Sequence, residues 1–363
     1  YRPWFVQTGI VVYSTLARAK LNGLVELGRA QRMVPDLRGS GLRSCALYED
    51  AWTNDGRLTL ANVRAAAERG ATVLNYAEVT AIRAGEGADV LADGRTVAVR
   101  ARSVVNAAGP WVDRVRRLED EQARPSMRLS KGAHVLVDGG ENWGAALTIP
   151  HDKVRVSFAV PWEGMLLLGT TDTLHDGEPE TVAVTDVDVE QILAEASVAV
   201  DGIGPVRATY SGLRVLPGGD GGTANARRET VFSTGPSGMV SVAGGKLTTY
   251  RRIALDALDH LGVSRLSRRP RPLPGATGLE RIAWPVELDA VTRAHLIHLY
   301  GSLATEVLAP AVDDPSLLEP LVPGRPDLRA QAVYARTHEW AVSDEDVLRR
   351  RTTGWLAGRR LHV

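Results

Sequence analysis

The sequence predicts a mixed fold, α/β with α+β character, whose last quarter is entirely helical. Three observations carry that reading. First, two stretches share one design: Ser103–Asn106 running into Ala107-Ala108-Gly109-Pro110-Trp111, and Val240–Ala243 running into Gly244-Gly245-Lys246-Leu247-Thr248. Each reads as a short buried strand, then small residues, then a helix start. Glycines there let backbone N–H groups approach a ligand, and the helix start adds partial positive charge. Two such units suggest two strand ends of one sheet meeting a shared ligand. Second, residues 126–173 alternate as strands. Third, the chain turns rich in Arg, Pro and Gly after Val263 and then helical from Leu288 onward.

Taken in order, residues 1–34 mix aromatic and aliphatic side chains (Trp4, Phe5, Ile10, Val11, Leu16), and a helix is expected over Val6–Ala19. Pro35–Ser44 reads as loop and Ala46–Trp52 as a strand. Leu58–Arg69 is an amphipathic helix stopped by Gly70. Strands follow at Thr72–Tyr76, Val79–Arg83, Ala88–Leu91 and Thr96–Arg100, the last two joined by the hairpin signal Asp93-Gly94. Arg128–Val137, Val154–Val160 and Met165–Thr170 are strands, and Thr185–Val200 is a helix with Asp186 and Asp188 in its first turn. Ala208–Leu216 and Glu229–Ser233 are strands around the glycine-rich stretch Gly218–Asn225. The tail should hold helices at Val291–Tyr300, Ser302–Ala309, Leu328–Glu339 and Ser343–Leu361.

The 363 residues suffice for two or three domains. With 44% apolar and 24% charged residues, the composition is that of an ordinary globular protein. Lys+Arg 43 balances Asp+Glu 43, so no global field recruits nucleic acid or acidic lipid. The single cysteine, Cys45, excludes an internal disulfide framework and suits a reducing compartment. No run of about 18 apolar residues is present to span a bilayer, and neither a secretory leader nor a metal-ligand cluster is expected.

Gly219-Asp220-Gly221-Gly222-Thr223-Ala224 fits a dinucleotide fingerprint by letter, yet no strand-turn-helix surrounds it, so it reads as a loop. His295 and His298 share a helix face without a partner ligand and read as surface residues. Arg349-Arg350-Arg351 reads as a solvated face pairing with Asp344, Glu345 and Asp346. No GxSxG elbow points to hydrolysis. The remaining set is His134, Arg214, Arg227 and Lys246, all at strand ends or beside glycines. Arginine offers a planar fork for phosphate or carboxylate, and histidine moves a proton near neutral pH. From the residues alone, this is an anion-binding oxidoreductase.

Several runs together resemble the FAD-dependent, membrane-associated glycerol-3-phosphate dehydrogenases. They are VVNAAGPWVDRV (Val104–Val115), LSKGAHVLV (Leu129–Val137), FAVPWEGMLLLGTTDT (Phe158–Thr173), YSGLRVLP (Tyr210–Pro217), SVAGGKLTTYRRIA (Ser241–Ala254) and HEWAVSDEDVLRRRTTGWL (His338–Leu356). The family's first βαβ unit with GxGxxG has no counterpart here, and the chain starts at Tyr1 rather than methionine, so a missing N-terminal segment is expected.

The resemblance implies an FAD/NAD(P)-binding Rossmann-like domain, incomplete at its N-terminus, over 46–118 and 212–262. It implies an antiparallel-sheet substrate domain over 1–45 and 119–211, a linker at 263–285, and an all-α domain over 286–363. It also implies oxidation of sn-glycerol 3-phosphate to dihydroxyacetone phosphate, with hydride passing from C2 to FAD and electrons passing to a membrane quinone. Arg214 and Arg227 would hold the substrate phosphate, with Arg228 an alternative for the second. His134 would position the C2 hydroxyl or take its proton, and Lys246 would sit by the flavin pyrimidine edge as a catalytic cation. Gly244, Gly245, Leu247 and Thr248, with Ala108 and Gly109, would contact the cofactor. The family sits on the inner face of the cell membrane as a peripheral cytoplasmic protein, and a homodimer is compatible with it. Two alternatives stay open: an amine- or amino-acid-oxidising flavoprotein of the same superfamily, and an inactive fragment that holds no FAD.

Overall fold

The computed structural model describes residues 3–152, 155–218, 229–263, 267 and 269–357. Its helices and strands in chain order are α1 (Pro3–Ala17), β1 (Leu24–Val25), α2 (Leu27–Met33), β2 (Cys45–Ala46), α3 (Asp55–Ala67), β3 (Ala77–Arg83), β4 (Gly87–Ala92), β5 (Arg95–Arg100) and β6 (Val105–Asn106). Then come α4 (Val112–Glu119), β7 (Met127–Val137), β8 (Leu147–Pro150), β9 (Val156–Trp162), β10 (Met165–Gly169), β11 (Thr173–His175), α5 (Asp186–Ala196) and β12 (Val206–Pro217). The chain continues with β13 (Thr230–Thr234), β14 (Val240–Gly244), α6 (Tyr250–His260), α7 (Ala290–Tyr300), α8 (Ala304–Leu308) and α9 (Arg329–His338).

These elements form two compact units, one from the described residues within 1–50 and 77–266, the other from those within 51–76 and 267–359. The first unit is built on a six-stranded sheet in which the long strand β7 pairs with β12 on one edge and with β10 and β11 on the other, and β9 and β8 follow β10. Every pairing in it is antiparallel. Alternation sorts the side chains of β7. Ala133, Val135 and Val137 point to one face, where Leu166 and Leu168 join them beneath Ile192 and Ala196 of α5. Burial of each of the valine, leucine and isoleucine side chains contributes about 1.5–3 kcal/mol. The start of α5 carries a full capping box between Thr185 and Asp188. Lys131, on the same face, donates to Asp188 Oδ2 at 2.6 Å. The opposite face, with His134 and its neighbours, stays free of α5.

Two smaller sheets complete this unit. β3, β4 and β5 form a meander, whose Asp93-Gly94 turn has both residues at positive φ (49° and 71°), as a tight hairpin twist demands. β14 lies between antiparallel β13 and parallel β6, with Val240 opposite Val105 and Ser241 opposite Asn106. The two strand-turn-helix stretches are therefore neighbours in one sheet and end on the same side.

The second unit packs α7, α8 and α9 around Leu296, Leu299, Tyr300, Val307, Leu308, Leu328 and Tyr334, and α3 belongs to the same unit. Residues 51–76 belong here, whereas the sequence reading joined them to the cofactor segment 46–118. The reason is ionic. Arg57 of α3 makes a two-pronged pair with the fully buried Glu339, at 2.9 and 2.7 Å, and donates to Leu299 O at 3.0 Å. Its guanidinium lies 4.2 Å from the Tyr300 ring centre.

Several local expectations are corrected. Of the expected strand 46–52 only Ala46 pairs, within the two-residue strand Cys45–Ala46, and Thr72–Tyr76 is irregular. The expected terminal helix from Ser343 is a single π turn at Asp346–Arg351 and a short turn at Gly354–Ala357. Polar side chains take over its backbone: Asp346 accepts from Val342 N and Ser343 N, and Thr352 Oγ1 donates to Val347 O at 2.8 Å. Asp346 also accepts from the Tyr76 hydroxyl. His295 is buried, not at the surface, with Nε2 3.0 Å from Asp327 Oδ1, while His298 is exposed and tilts against Trp52. Arg349 does pair with Glu345, but Arg351 is buried and donates to Glu339 O.

Candidate active site

The free face of the six-stranded sheet carries a row of residues in register: Phe158 of β9, Gly169 of β10, His134 of β7 and Tyr210 of β12. The next row toward the start of β7 on that face is the pair Gly132–Gly212, and the row beyond it is Ser130–Arg214. Glycine at 132 and 169 is a steric requirement. A Cβ at Gly132 would come 2.5 Å from a terminal nitrogen of Arg214, and one at Gly169 would come 2.5 Å from His134 Cδ2. Both the Arg214 and the His134 side chains lie in space that a Cβ would fill. At Gly212 an added Cβ meets nothing within 4 Å, so that part of the face is open floor.

Arg214 is fixed by the segment that follows β10. Its guanidinium donates to Thr170 Oγ1 at 3.0 Å and to Thr171 O at 3.2 Å, and sits 3.8 Å from Asp172. Thr171 is itself buried, accepting from Ala133 N and donating to Asp188 Oδ1. Burial alone would raise the Asp188 carboxyl, but hydrogen bonds from Lys131 and Thr185 outweigh it and hold the group below the usual carboxylate range. Two layers of polar contacts thus stand behind one arginine.

The second part of the site is the pair of strand ends. Asn106, buried, donates to Val112 O at 2.9 Å and Ser241 Oγ at 3.1 Å and accepts from Ala108 N. It ties the β6 turn to β14 and sets Ala108 and Gly109 in place, Gly109 with φ 56°. At the end of β14, Gly244 and Gly245 adopt φ 76° and 82°. A Cβ on Gly244 would collide with the Glu229 carbonyl oxygen, and one on Gly245 would approach Ile253 Cδ1 at 2.5 Å. The chain then reverses so that exposed Lys246 opens the turn Leu247–Thr249 leading into α6.

These two parts meet. A cavity of about 410 Å³ is lined by Leu213, Arg214 and Val215 of β12 and by Gly244, Gly245, Lys246, Leu247 and Thr248. Its wall is partly apolar and carries two cations, Arg214 and Lys246. Of the residues expected from sequence, Arg214, Lys246, Gly244, Gly245, Leu247 and Thr248 are assembled there. His134 lies two rows from Arg214 on the same face, and Ala108 and Gly109 end the adjacent strand. Arg227, Arg228 and the fingerprint-like run 219–224 lie outside the described residues.

Sequence reasoning missed Tyr210, Gly132, Gly169 and the Thr170–Asp172 clamp. Their signal was present in the runs KGAH, GTTD and YSGLR, but their meaning depends on which strands pair. It missed, too, the cluster at the β6 turn, where Trp111 Nε1 and Arg114 both donate to Glu180. Arg114, then a backbone hydrogen bond and Trp111, bring that carboxyl down to about 2.

A family model described as FAD dependent oxidoreductase matches residues 7–251, more than half of the chain. The chain belongs to the FAD-dependent oxidoreductase family. A second model, the C-terminal domain of alpha-glycerophosphate oxidase, matches residues 267–359. Among curated members of this oxidoreductase family, the chain is 32% identical to glycerol-3-phosphate dehydrogenase 2 of Mycobacterium bovis, over 96% of this chain and 64% of that protein. It is 34% identical to glycerol-3-phosphate dehydrogenase 1 of the same organism, over 95% and 69%. These matches place it in the glycerol-3-phosphate dehydrogenase branch, although it spans only 64% of the length of the first of these relatives. The crystal structure of the glycerol-3-phosphate dehydrogenase of Bacillus halodurans complexed with FAD superimposes with a TM-score of 0.72 at 28% identity, covering 91% of this chain and 70% of that one. The mixed sheet body and helical C-terminal region are thus the fold of an FAD-dependent oxidoreductase of this branch.

Proposed function

We propose that the chain oxidises sn-glycerol 3-phosphate to dihydroxyacetone phosphate, with FAD as its cofactor and a membrane quinone as the final acceptor. The observation that carries this reading is the cavity joining Arg214 to the glycine turn at Lys246, with Arg214 itself on the sheet face that also carries His134. FAD, when bound, accepts the hydride that leaves C2. The residues present fit it: a glycine-walled turn, a cation at Lys246 and the open floor at Gly212 suit a flat ring with an electron-rich edge. Gly244, Gly245, Lys246, Leu247 and Thr248 would hold it, with Ala108 and Gly109 at the neighbouring strand end.

The substrate phosphate is assigned to Arg214, with Arg227 as the second cation. A planar guanidinium gives a dianion two parallel charge-assisted hydrogen bonds. The Arg214 guanidinium reaches back over Gly132, and His134 stands two residues beyond that glycine on β7, about 7 Å of strand. Its Nδ1 is buried, and Nε2 is assigned to take the proton of the C2 hydroxyl as the hydride departs. The clamp of Thr170, Thr171 and Asp172 keeps Arg214 from following the substrate.

A quinone partitions into lipid, so the reading includes work at the cytoplasmic face of the cell membrane. None of the described helices is long and apolar enough to cross it. The six-stranded sheet would present the substrate groups, His134 from β7 and Arg214 from β12, while the turn after β14 and the end of β6 would carry the cofactor. Turnover with an artificial acceptor tests the proposal. Glycerol 3-phosphate should be oxidised and sarcosine or glycine should not, and the reverse preference would favour the amine-oxidising reading.

A further inference from the structure

We propose that Tyr210 is a positioning residue that holds the His134 ring in the orientation needed for proton transfer. The inference rests on His134 being the proton acceptor of the reaction proposed above. The two rings stack with centroids 4.9 Å apart and planes 10° from parallel. They sit directly opposite each other on β12 and β7, where cross-strand pairs make their strongest contacts. On the other side of His134 stands Gly169, its register partner on β10. The imidazole edge occupies the space a Cβ would take there. The ring is therefore held between an aromatic wall and a glycine notch. Those two contacts select one side-chain conformation out of the staggered set.

Such a clamp has a chemical purpose. A general base contributes only when its nitrogen lies within hydrogen-bond reach of the proton it takes, and small displacements reduce rates steeply. An imidazole on a half-open sheet face, next to glycines, would otherwise sample other conformers. An offset-stacked phenol ring also favours an imidazole that gains positive charge during the step. Phosphate binding by Arg214 is held by a separate set of contacts, so loss of the stack should affect turnover and leave substrate affinity nearly unchanged.

The test has a structural arm and a kinetic arm. Histidine-labelled protein gives a ring resonance for His134, recognised by its loss in His134→Gln. Tyr210→Phe keeps the stack and should keep both this resonance and kcat within about twofold. Tyr210→Leu should move the resonance to an unstacked position and lower kcat about tenfold or more, with the KM for glycerol 3-phosphate within about threefold. Gly169→Ala reaches the same ring from the opposite side and should reproduce the kcat loss with Tyr210 intact, which guards against a misfolded leucine variant. An unmoved His134 resonance in Tyr210→Leu would overturn the clamp. A moved resonance with full kcat would overturn its role in turnover. If His134→Gln itself turns over at full rate, the proton-acceptor reading fails, and the resonance alone then decides whether the clamp exists.

Discussion

The two units handle buried charge in opposite ways. In the first, His134 and Arg214 on the sheet face and Lys246 at the glycine turn stand half-buried or exposed near glycines. In the second, Arg57, Glu339, His295 and Asp327 are closed off and saturated. Asp327 alone receives His295 Nε2, Thr353 N, Thr353 Oγ1 and Gln331 Nε2. Both arrangements fix polar groups precisely. The first leaves their outer side available to a ligand, and the second leaves none available. Saturation, rather than charge as such, separates an architectural ion pair from a chemical one.

That contrast makes ranked predictions. The largest effect on stability belongs to the saturated pair. Glu339→Ala leaves Arg57 buried without its carboxylate and should destabilise the helical unit by about 3–5 kcal/mol in denaturant unfolding. A loss below about 1 kcal/mol would show that the pair is solvated in solution. Next comes Arg214→Ala, which should raise the KM for glycerol 3-phosphate about tenfold to hundredfold, the value of one or two charge-assisted hydrogen bonds. An unchanged KM would remove Arg214 from the phosphate site. Gly245→Ala forces positive φ on a residue with a Cβ and presses on Ile253, so a stability loss of about 1–3 kcal/mol and weaker flavin retention are expected in thermal melts and absorbance. Retained flavin with unchanged melting would mean that the turn adapts.

The smallest effect is a pH dependence. Burial would raise the Asp346 carboxyl, but backbone N–H groups of Ser343 and Val342 and the Tyr76 hydroxyl bring it to about 2. Because the folded value lies below the unfolded one near 4, its contribution is fully present above pH 4. It is lost as pH falls toward 2, and its full size is about 2 kcal/mol. Asp346→Asn should flatten the acid limb of stability over that window, and an acid limb identical in the variant would assign the effect to other carboxylates.

Much of the first unit was legible in the sequence because its signals are local. Asp93-Gly94, the Thr185–Asp188 cap and the glycine turn at 244–245 each announce a conformation over two to four residues. The candidate residues His134, Arg214 and Lys246 stand out for the same reason, each within two residues of a glycine. What the sequence concealed depends on pairings across distance. Arg57 finds Glu339 282 positions away, and this draws 51–76 into the helical unit. Tyr210 acquires meaning only when β12 is laid against β7. The tail has a helical pattern, yet Asp346, Thr352 and Thr353 spend their side chains on nearby backbone and on Asp327, which shortens it to one turn.

In the proposed function, the sheet face carrying His134 and Arg214 and the turn opened by Lys246 together hold a flavin next to glycerol 3-phosphate. The most direct measurement is the visible spectrum of the purified protein without oxygen, before and after adding glycerol 3-phosphate. The account predicts a flavin absorbance that bleaches on addition and returns with an electron acceptor. A protein that takes up no FAD, or a bound flavin whose spectrum glycerol 3-phosphate leaves unchanged, would contradict it.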